Sequence, residues 1–226
     1  MTFEELRALF ATAKVTLGNE GIILRGTVQD AENSVFEYEI REGSNPILAN
    51  ACDKEWDEFN IQLMDFIQNH VPPEKQATVL DQIQIDDAHW DWFAKAYFHQ
   101  TDEYRWFFLT VANQPQGACL IYHPKPSVIA EGNIFYIEYL AVAPWNRKNP
   151  MREQRFHSVG RLLVKCAVKY AHEVLGLRYG FSLHSLPRAY EYYKKLGMAA
   201  HPASNKDVLA YFEMGEVGAA RLAEPT

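Results

Sequence analysis

Six cations against one anion crowd residues 147–165, where Arg147, Lys148, Arg152, Arg155, Arg161 and Lys165 face only Glu153. That density of positive charge suits a polyphosphate. Within it, Arg155-Phe156-His157-Ser158-Val159-Gly160 leads into a periodic apolar segment, so the small residues Ser158 and Gly160 fall where a helix begins. A helix start carries unpaired backbone N–H groups and the positive end of the macrodipole, and it binds phosphate when no bulky side chain blocks the approach. The same pattern also serves as an ordinary helix cap. Glu138 stands in the middle of Ile134 to Val142, the most β-like run of the chain. A carboxylate there is either a general base, if burial lifts its pKa towards neutrality, or a solvated sheet residue. Cys119 in a hairpin strand and Cys166 on an apolar helix stripe read as buried structural thiols. Cys52, Cys119 and Cys166 form no CxxC pair, and the eight histidines show no HExxH spacing, which argues against a metal site.

The elements that must position these groups follow from periodicity. Alternation in residues 21–28 and 35–40 predicts two strands paired across a polar turn. Trp56, Phe59, Leu63 and Phe66 recur at helical spacing between Asp53 and Asn69, and Val71-Pro72-Pro73 ends that helix. A second helix from Glu74 would bury Val79, Leu80 and Ile83, and a third, capped by Asp86 or Asp87, would bury Trp90, Phe93 and Tyr97. Tyr104 to Val111 and Ala118 to Tyr122 then read as a hairpin. After the strand 134–142 come an amphipathic helix from Ser158 to Leu175, with Val159, Leu162, Leu163, Cys166, Tyr170 and Val174 inward, and a strand from Arg178 to Leu183. A helix from Ser185 to Leu196, with Ser185 as its N-cap, and a strand from Asp207 to Met214 complete an α+β order. Simple alternation puts Glu138 on the face of Leu140 and Val142, with Tyr139 and Ala141 opposite.

Three pieces together resemble the GNAT superfamily of N-acetyltransferases. Ala141-Val142-Ala143-Pro144 matches the strand end that precedes that family's pyrophosphate loop, and Arg155 to Gly160 resembles the loop R-x-x-G-x-G/A, with Ser158 where glycine is usual. Leu186-Pro187-Arg188-Ala189-Tyr190-Glu191-Tyr192-Tyr193-Lys194-Lys195-Leu196-Gly197-Met198 resembles N-x-x-A-x-x-x-Y-x-x-x-G-F, with Leu186 replacing a frequent asparagine. Residues 148–154 depart from the family as an insertion that either wraps the phosphates or bulges into solvent. The resemblance implies a GNAT-like acyl-CoA N-acyltransferase fold, a mixed central sheet flanked by helices, over residues 36–214, best matched over 104–214. Residues 1–35 would then be an N-terminal extension and 215–226 a tail.

The resemblance also implies roles. Acetyl-CoA would be the acetyl donor, held by backbone at Leu140, Ala141 and Val142 and by Arg147, Arg155, Phe156, His157, Ser158, Val159, Gly160, Arg161 and Ser185. Tyr193 would face the coenzyme's sulfur and assist the leaving thiolate, and Glu138 would accept the amine's proton. Tyr193 as plain core packing is the alternative. The expected activity is direct transfer, in a ternary complex, of an acetyl group to a primary amine on a small molecule or protein. A non-catalytic acyl-CoA-binding or protein-interaction module is the other reading, kept open by Ser158, Leu186 and the insertion.

Charge bears on the partners. Residues 1–105 hold 20 Asp and Glu against 8 Lys and Arg, whereas residues 106–226 hold 9 against 14. The acidic part suggests a cationic acceptor and would repel a long nucleic acid. His89 and Trp90-Asp91-Trp92, with Trp56, would line an aromatic acidic acceptor cleft or else belong to the core. No apolar run reaches the roughly 18 residues of a membrane span, and the first residues lack a basic start, so a soluble cytoplasmic protein is expected. The abundance of tyrosine and tryptophan is compatible with a homodimer.

Overall fold

In the computed structural model, residues 2–12 and 17–224 are described. The chain forms α1 (Phe3–Thr12), the antiparallel pair β1 (Ile22–Gln29) and β2 (Val35–Glu42), then α2 (Pro46–His70), α3 (Pro73–Gln82) and α4 (Trp92–Phe98). There follow β3 (Tyr104–Val111), β4 (Gln114–Pro126), β5 (Asn133–Val142), α5 (Val159–Glu173), β6 (Phe181–Ser185), α6 (Tyr190–Leu196), β7 (Ala199–Ala200), β8 (Ala210–Met214) and α7 (Glu216–Ala223). One eight-stranded sheet runs in the order β1-β2-β3-β4-β5-β6-β8-β7, antiparallel except at β5–β6. The α+β class with a mixed, helix-flanked sheet is thus the observed one.

Each face of the sheet buries its own core. Phe107, Cys119, Phe135, Ile137 and Phe181 pack with α5 and α7 on one side. On the other, Trp106, Phe108, Leu120 and Ala141 pack with the stripe Leu48, Cys52, Trp56, Phe59 and Leu63 of α2 and with Trp92 of α4. All three cysteines are buried thiols. Gly117 of β4 brings α5 close, because a Cβ there would lie 2.8 Å from Leu163 Cδ1 and 2.9 Å from Val159 Cγ1. The β3–β4 turn places Ala112 and Asn113 both at positive φ, which suits a two-residue hairpin turn.

Several boundaries move for local reasons. Helix α2 starts at Pro46 rather than near Asp53, because the Asn45 side chain accepts from the backbone N–H of Ile47 and Leu48. Helix α4 starts at Trp92 with Asp91 as its cap, not Asp86 or Asp87, and it buries Trp92, Phe93 and Ala96 while Tyr97 is exposed. Val174 is also exposed, since α5 ends one residue before it. Of residues 1–35, β1 is an edge strand of the sheet, and α1 sets Phe3 against Phe93 and Arg7 against Asp91; residues 13–16 lie outside the described part. Helix α7, in the stretch expected to be a tail, buries Ala219, Leu222 and Ala223. Among the described residues, no helix is long and apolar enough to cross a membrane.

The α2–α4 junction titrates. Asp53 of α2 accepts from the backbone N–H of Trp92 at 2.7 Å and of Phe93 at 2.9 Å, holding the start of α4. Burial nevertheless raises its pKa to about 7. Unfolded, the same carboxyl releases its proton near pH 4. Between those values the folded chain binds more protons than the unfolded one, so stability falls as pH rises towards 7. We expect the urea midpoint of the parent, measured against that of Asp53→Asn, to drop between about pH 5.5 and about pH 8, whereas His123 and His184, whose pKa burial lowers, push both chains the other way. Parallel pH profiles in the parent and Asp53→Asn would contradict this.

Candidate functional site

Strand β5 parts from β6 partway along. Their parallel pairing runs from Phe135–Phe181 to Ile137–Leu183 and stops, leaving Glu138 to Val142 without a ladder partner on that side. The cause lies in the β4–β5 register, which shifts from Ile121–Ile137 to Leu120–Tyr139 and makes Glu138 the extra residue of a bulge. A bulge bends and twists its strand. Beyond it, Leu140, Ala141 and Val142 form one wall of a groove of about 860 Å³, faced by Ala189, Tyr192 and Tyr193 and roofed by Asp81 to Gln84.

The start of α5 closes one end of that groove. Ser158 sits at the N-cap with φ 64° and makes no side-chain capping bond. The first helical bond runs from Leu162 N–H to the Ser158 carbonyl, so the N–H groups of Val159, Gly160 and Arg161 precede the helical ladder. His157, Ser158, Val159, Gly160, Arg161 and Phe156 all border the groove. Gly160 leaves open the space where a Cβ would sit in ordinary contact with Val142 Cγ1, 3.4 Å away, at the groove's wall. The left-handed φ explains why glycine suits position 158: a side chain there costs about 1–2 kcal/mol. Ser158→Gly should therefore raise stability by up to ~1 kcal/mol, read as a higher melting temperature, without closing the groove. A lower melting temperature would refute the left-handed assignment.

The other expected contacts divide. Arg147 borders the groove, but its guanidinium is already engaged: it donates to Asp87 Oδ1 at 2.6 Å and Oδ2, to the Gln84 carbonyl at 2.9 Å and, through Nε, to the Val142 carbonyl at 2.9 Å. It ties the end of β5 to the groove's roof. Arg155 donates to Gln114 Oε1 at 3.0 Å and lies over Phe156, outside the groove. Ser185 is the last residue of β6, not a helix cap; it is buried and donates to the Leu186 carbonyl at 2.8 Å. Basic side chains that border the groove, besides Arg147, Arg161 and His157, are Lys148, Arg188 and Lys195. Arg188 also donates to the Ile83 carbonyl at 3.2 Å and to Asp86 at 3.1 Å. Both Arg188 and Lys195 sit inside the motif around Tyr193, yet spacing alone did not single them out.

The insertion is an ordered loop. Asn149 Oδ1 accepts from Met151 and Arg152 N–H, and Gln154 donates to the Asn146 carbonyl. Its ends, Lys148 and Gln154, border the groove, while its body lines a second, shallow depression with Ala31.

Tyr193 meets the groove from α6 and is otherwise buried, with ring centroids 5.2 Å from Tyr192 and 6.0 Å from Phe212. Its hydroxyl has no hydrogen-bond partner among the described residues. Burial, then the neighbouring Tyr192, pushes its pKa well up, so the phenol stays protonated. Glu138 departs from the expected face. The bulge interrupts the alternation, and its charge acts on Lys95, Tyr104, Tyr136, Tyr139 and His184 rather than towards the α5 side. Next to it, His184 Nε2 donates to the Ser204 carbonyl at 2.9 Å, which leaves Nδ1 to accept from the Tyr136 hydroxyl at 2.7 Å. Trp56 and Trp92 are core residues, Asp91 is a helix cap, His89 is exposed, and Trp90 alone of that group presents a partly open ring, 4.9 Å from Tyr139. No group of three His, Cys, Asp or Glu able to hold a metal ion occurs among the described residues.

No family profile matches this chain, and no curated protein does. Among solved structures it is similar to an uncharacterized protein of Bacillus halodurans, with 11% identity, 89% of this chain and 95% of that chain covered, and a TM-score of 0.49. It is similar as well to the GNAT domain of PAT from S. lividans, at 12% identity, with 84% and 96% covered and a TM-score of 0.46. A third is the PaiA N-acetyltransferase of Thermoplasma acidophilum in complex with coenzyme A, at 11% identity, with 77% and 97% covered and a TM-score of 0.46.

Proposed function

We propose that this chain is an acyl-CoA-dependent N-acyltransferase that moves an acetyl group from acetyl-CoA to a primary amine. The observation that carries the reading is the groove itself, where an unpaired strand edge, an open helix start and the Tyr193 hydroxyl converge. Its residues fit the ligand: about 860 Å³ is a ligand-sized volume, and Gly160 keeps the helix start clear. Acetyl-CoA would supply an activated acyl group as a thioester.

The chain's own groups then divide the work. The N–H groups of Val159, Gly160 and Arg161, with the Arg161 and Lys195 side chains, hold phosphate oxygens. The free edge of β5 at Leu140, Ala141 and Val142 offers main-chain pairing and one N–H to the carbonyl oxygen as it gains charge. Glu138, at the seam where the sheet parts, takes the amine's proton directly or through water. The amine nitrogen forms the C–N bond, the C–S bond breaks with its electron pair on sulfur, and Tyr193 donates a hydrogen bond to that sulfur. Because burial has raised the phenol pKa, hydrogen bonding rather than full proton transfer is its contribution.

Calorimetric titration with acetyl-CoA tests this without knowing the acceptor. We expect one-to-one binding at roughly micromolar Kd, about −8 kcal/mol. Absence of binding would overturn the proposal. Binding with no thiol release against a broad amine panel would favour the non-catalytic module.

A further inference from the structure

On the sheet face away from the groove, α4 carries Lys95 over β5. Its Nζ lies 4.2 Å from the Tyr139 ring centroid and 5.9 Å from that of Trp90. Tyr139 immediately precedes the residues of β5 that wall the groove, so this ammonium stands beside the stretch of β5 that has parted from β6. Lys95 is half-buried, yet no carboxylate among the described residues comes within ion-pair distance and Nζ makes no hydrogen bond to them. Asp91, Asp53 and Glu138 act on it only at longer range, while burial lowers its pKa.

Half in water and over two ring faces, this ammonium keeps donors that no protein group takes and that a ligand's acceptor can reach. The surroundings indicate what that ligand is. The rings of Trp90, Tyr139, His99 and Tyr104 meet edge to face, with centroids 4.7–6.3 Å apart, and each remains partly open. The carboxylate of Glu138, the residue bulged out of the ladder, takes no side-chain hydrogen bond among the described residues. Asp91 and Asp53 are paired with Arg7, so the unpaired groups of the corner are one ammonium and one carboxylate, beside several flat apolar surfaces.

We propose that this corner is the acceptor site and that the acceptor is a zwitterionic primary amine, an amino acid with an aromatic side chain. Its carboxylate docks on Lys95, its ring lies among Trp90, Tyr104 and Tyr139, and its amine turns towards Glu138 at the seam. This rests on the acyl-transfer reading above and sharpens the cationic amine suggested by the acidic first part of the chain. A polyamine would set a second cation against Lys95, which disfavours it.

The test compares L-tyrosine and L-phenylalanine with tyramine, phenethylamine and spermidine, reading thiol release from acetyl-CoA. We expect the amino acids to exceed their decarboxylated partners by about tenfold or more in kcat/KM, the size of one charge-assisted contact. Lys95→Met should abolish that preference with acetyl-CoA binding retained, and Lys95→Arg should keep it, which a merely structural lysine would not do. Preference for tyramine, phenethylamine or spermidine, or a preference untouched in Lys95→Met, overturns the assignment. If acetyl-CoA binds but no amine releases thiol, the acyl-transfer reading fails, and the corner is judged by calorimetry in the presence of coenzyme A. There, tyrosine binding more tightly than tyramine supports the carboxylate pocket, and equal or weaker binding overturns it.

Discussion

Replacing Tyr193 with phenylalanine lowers kcat by roughly tenfold or more, at least ~1.4 kcal/mol of barrier, and leaves coenzyme A affinity little changed. The substitution is a clean one. The ring keeps its packing against Tyr192 and Phe212, and the hydroxyl removed has no protein partner to orphan. What disappears is a protonated donor at the groove. A phenol near pKa 10 facing a thiol near 8.5 already makes full proton transfer uphill by about 2 kcal/mol, and burial steepens that. The loss should therefore fall on kcat, scaling with the basicity of the departing thiolate, and not on the resting complex. Stopped-assay thiol release together with calorimetry of the same variant separates the two. Equal turnover in the variant would make Tyr193 a packing residue and remove the proposed assistance to sulfur.

Asp87→Ala is expected to destabilise the fold by about 3–5 kcal/mol, the cost of leaving a buried charge without its partner. Asp87 and Arg147 are 5% and 10% exposed, and the fork between them joins the loop after α3 to the end of β5. Removing the carboxylate leaves the guanidinium with two carbonyl acceptors and one buried charge. The roof of the groove, Asp81 to Gln84, is then held on that side by the Arg147 bond to the Gln84 carbonyl alone, with Arg188 holding the other. Urea unfolding of Asp87→Ala beside the double variant Asp87→Leu/Arg147→Met decides the point. Much of the loss should return in the double variant, because two well-packed apolar groups replace an ion pair at little net cost. A single variant as stable as the parent would mean that the pair is solvated and the roof is held otherwise.

The sequence by itself determined what depends on neighbours a few residues apart. The alternation of β1 and β2, the stripe of α2, the β3–β4 hairpin and the helix beginning after Ser158 are local patterns, and each stands where its period and turn chemistry put it. Parts of residues 141–144, 155–160 and 186–198 border one groove, and the strand end, helix start and helix face they contribute are local features too. Tertiary structure alone decided what depends on distant partners. Whether Glu138 follows the alternation was set by the register of β4 against β5, where one extra residue turned it from the Leu140 face towards Lys95 and Tyr139. Whether Arg147 meets a ligand or a carboxylate was set by Asp87, 60 residues earlier in the chain, and Arg155 was drawn to Gln114 in the same way. A charge reads the same in any sequence; only the folded chain shows which opposite charge has already claimed it, and Lys95 is informative because none among the described residues has.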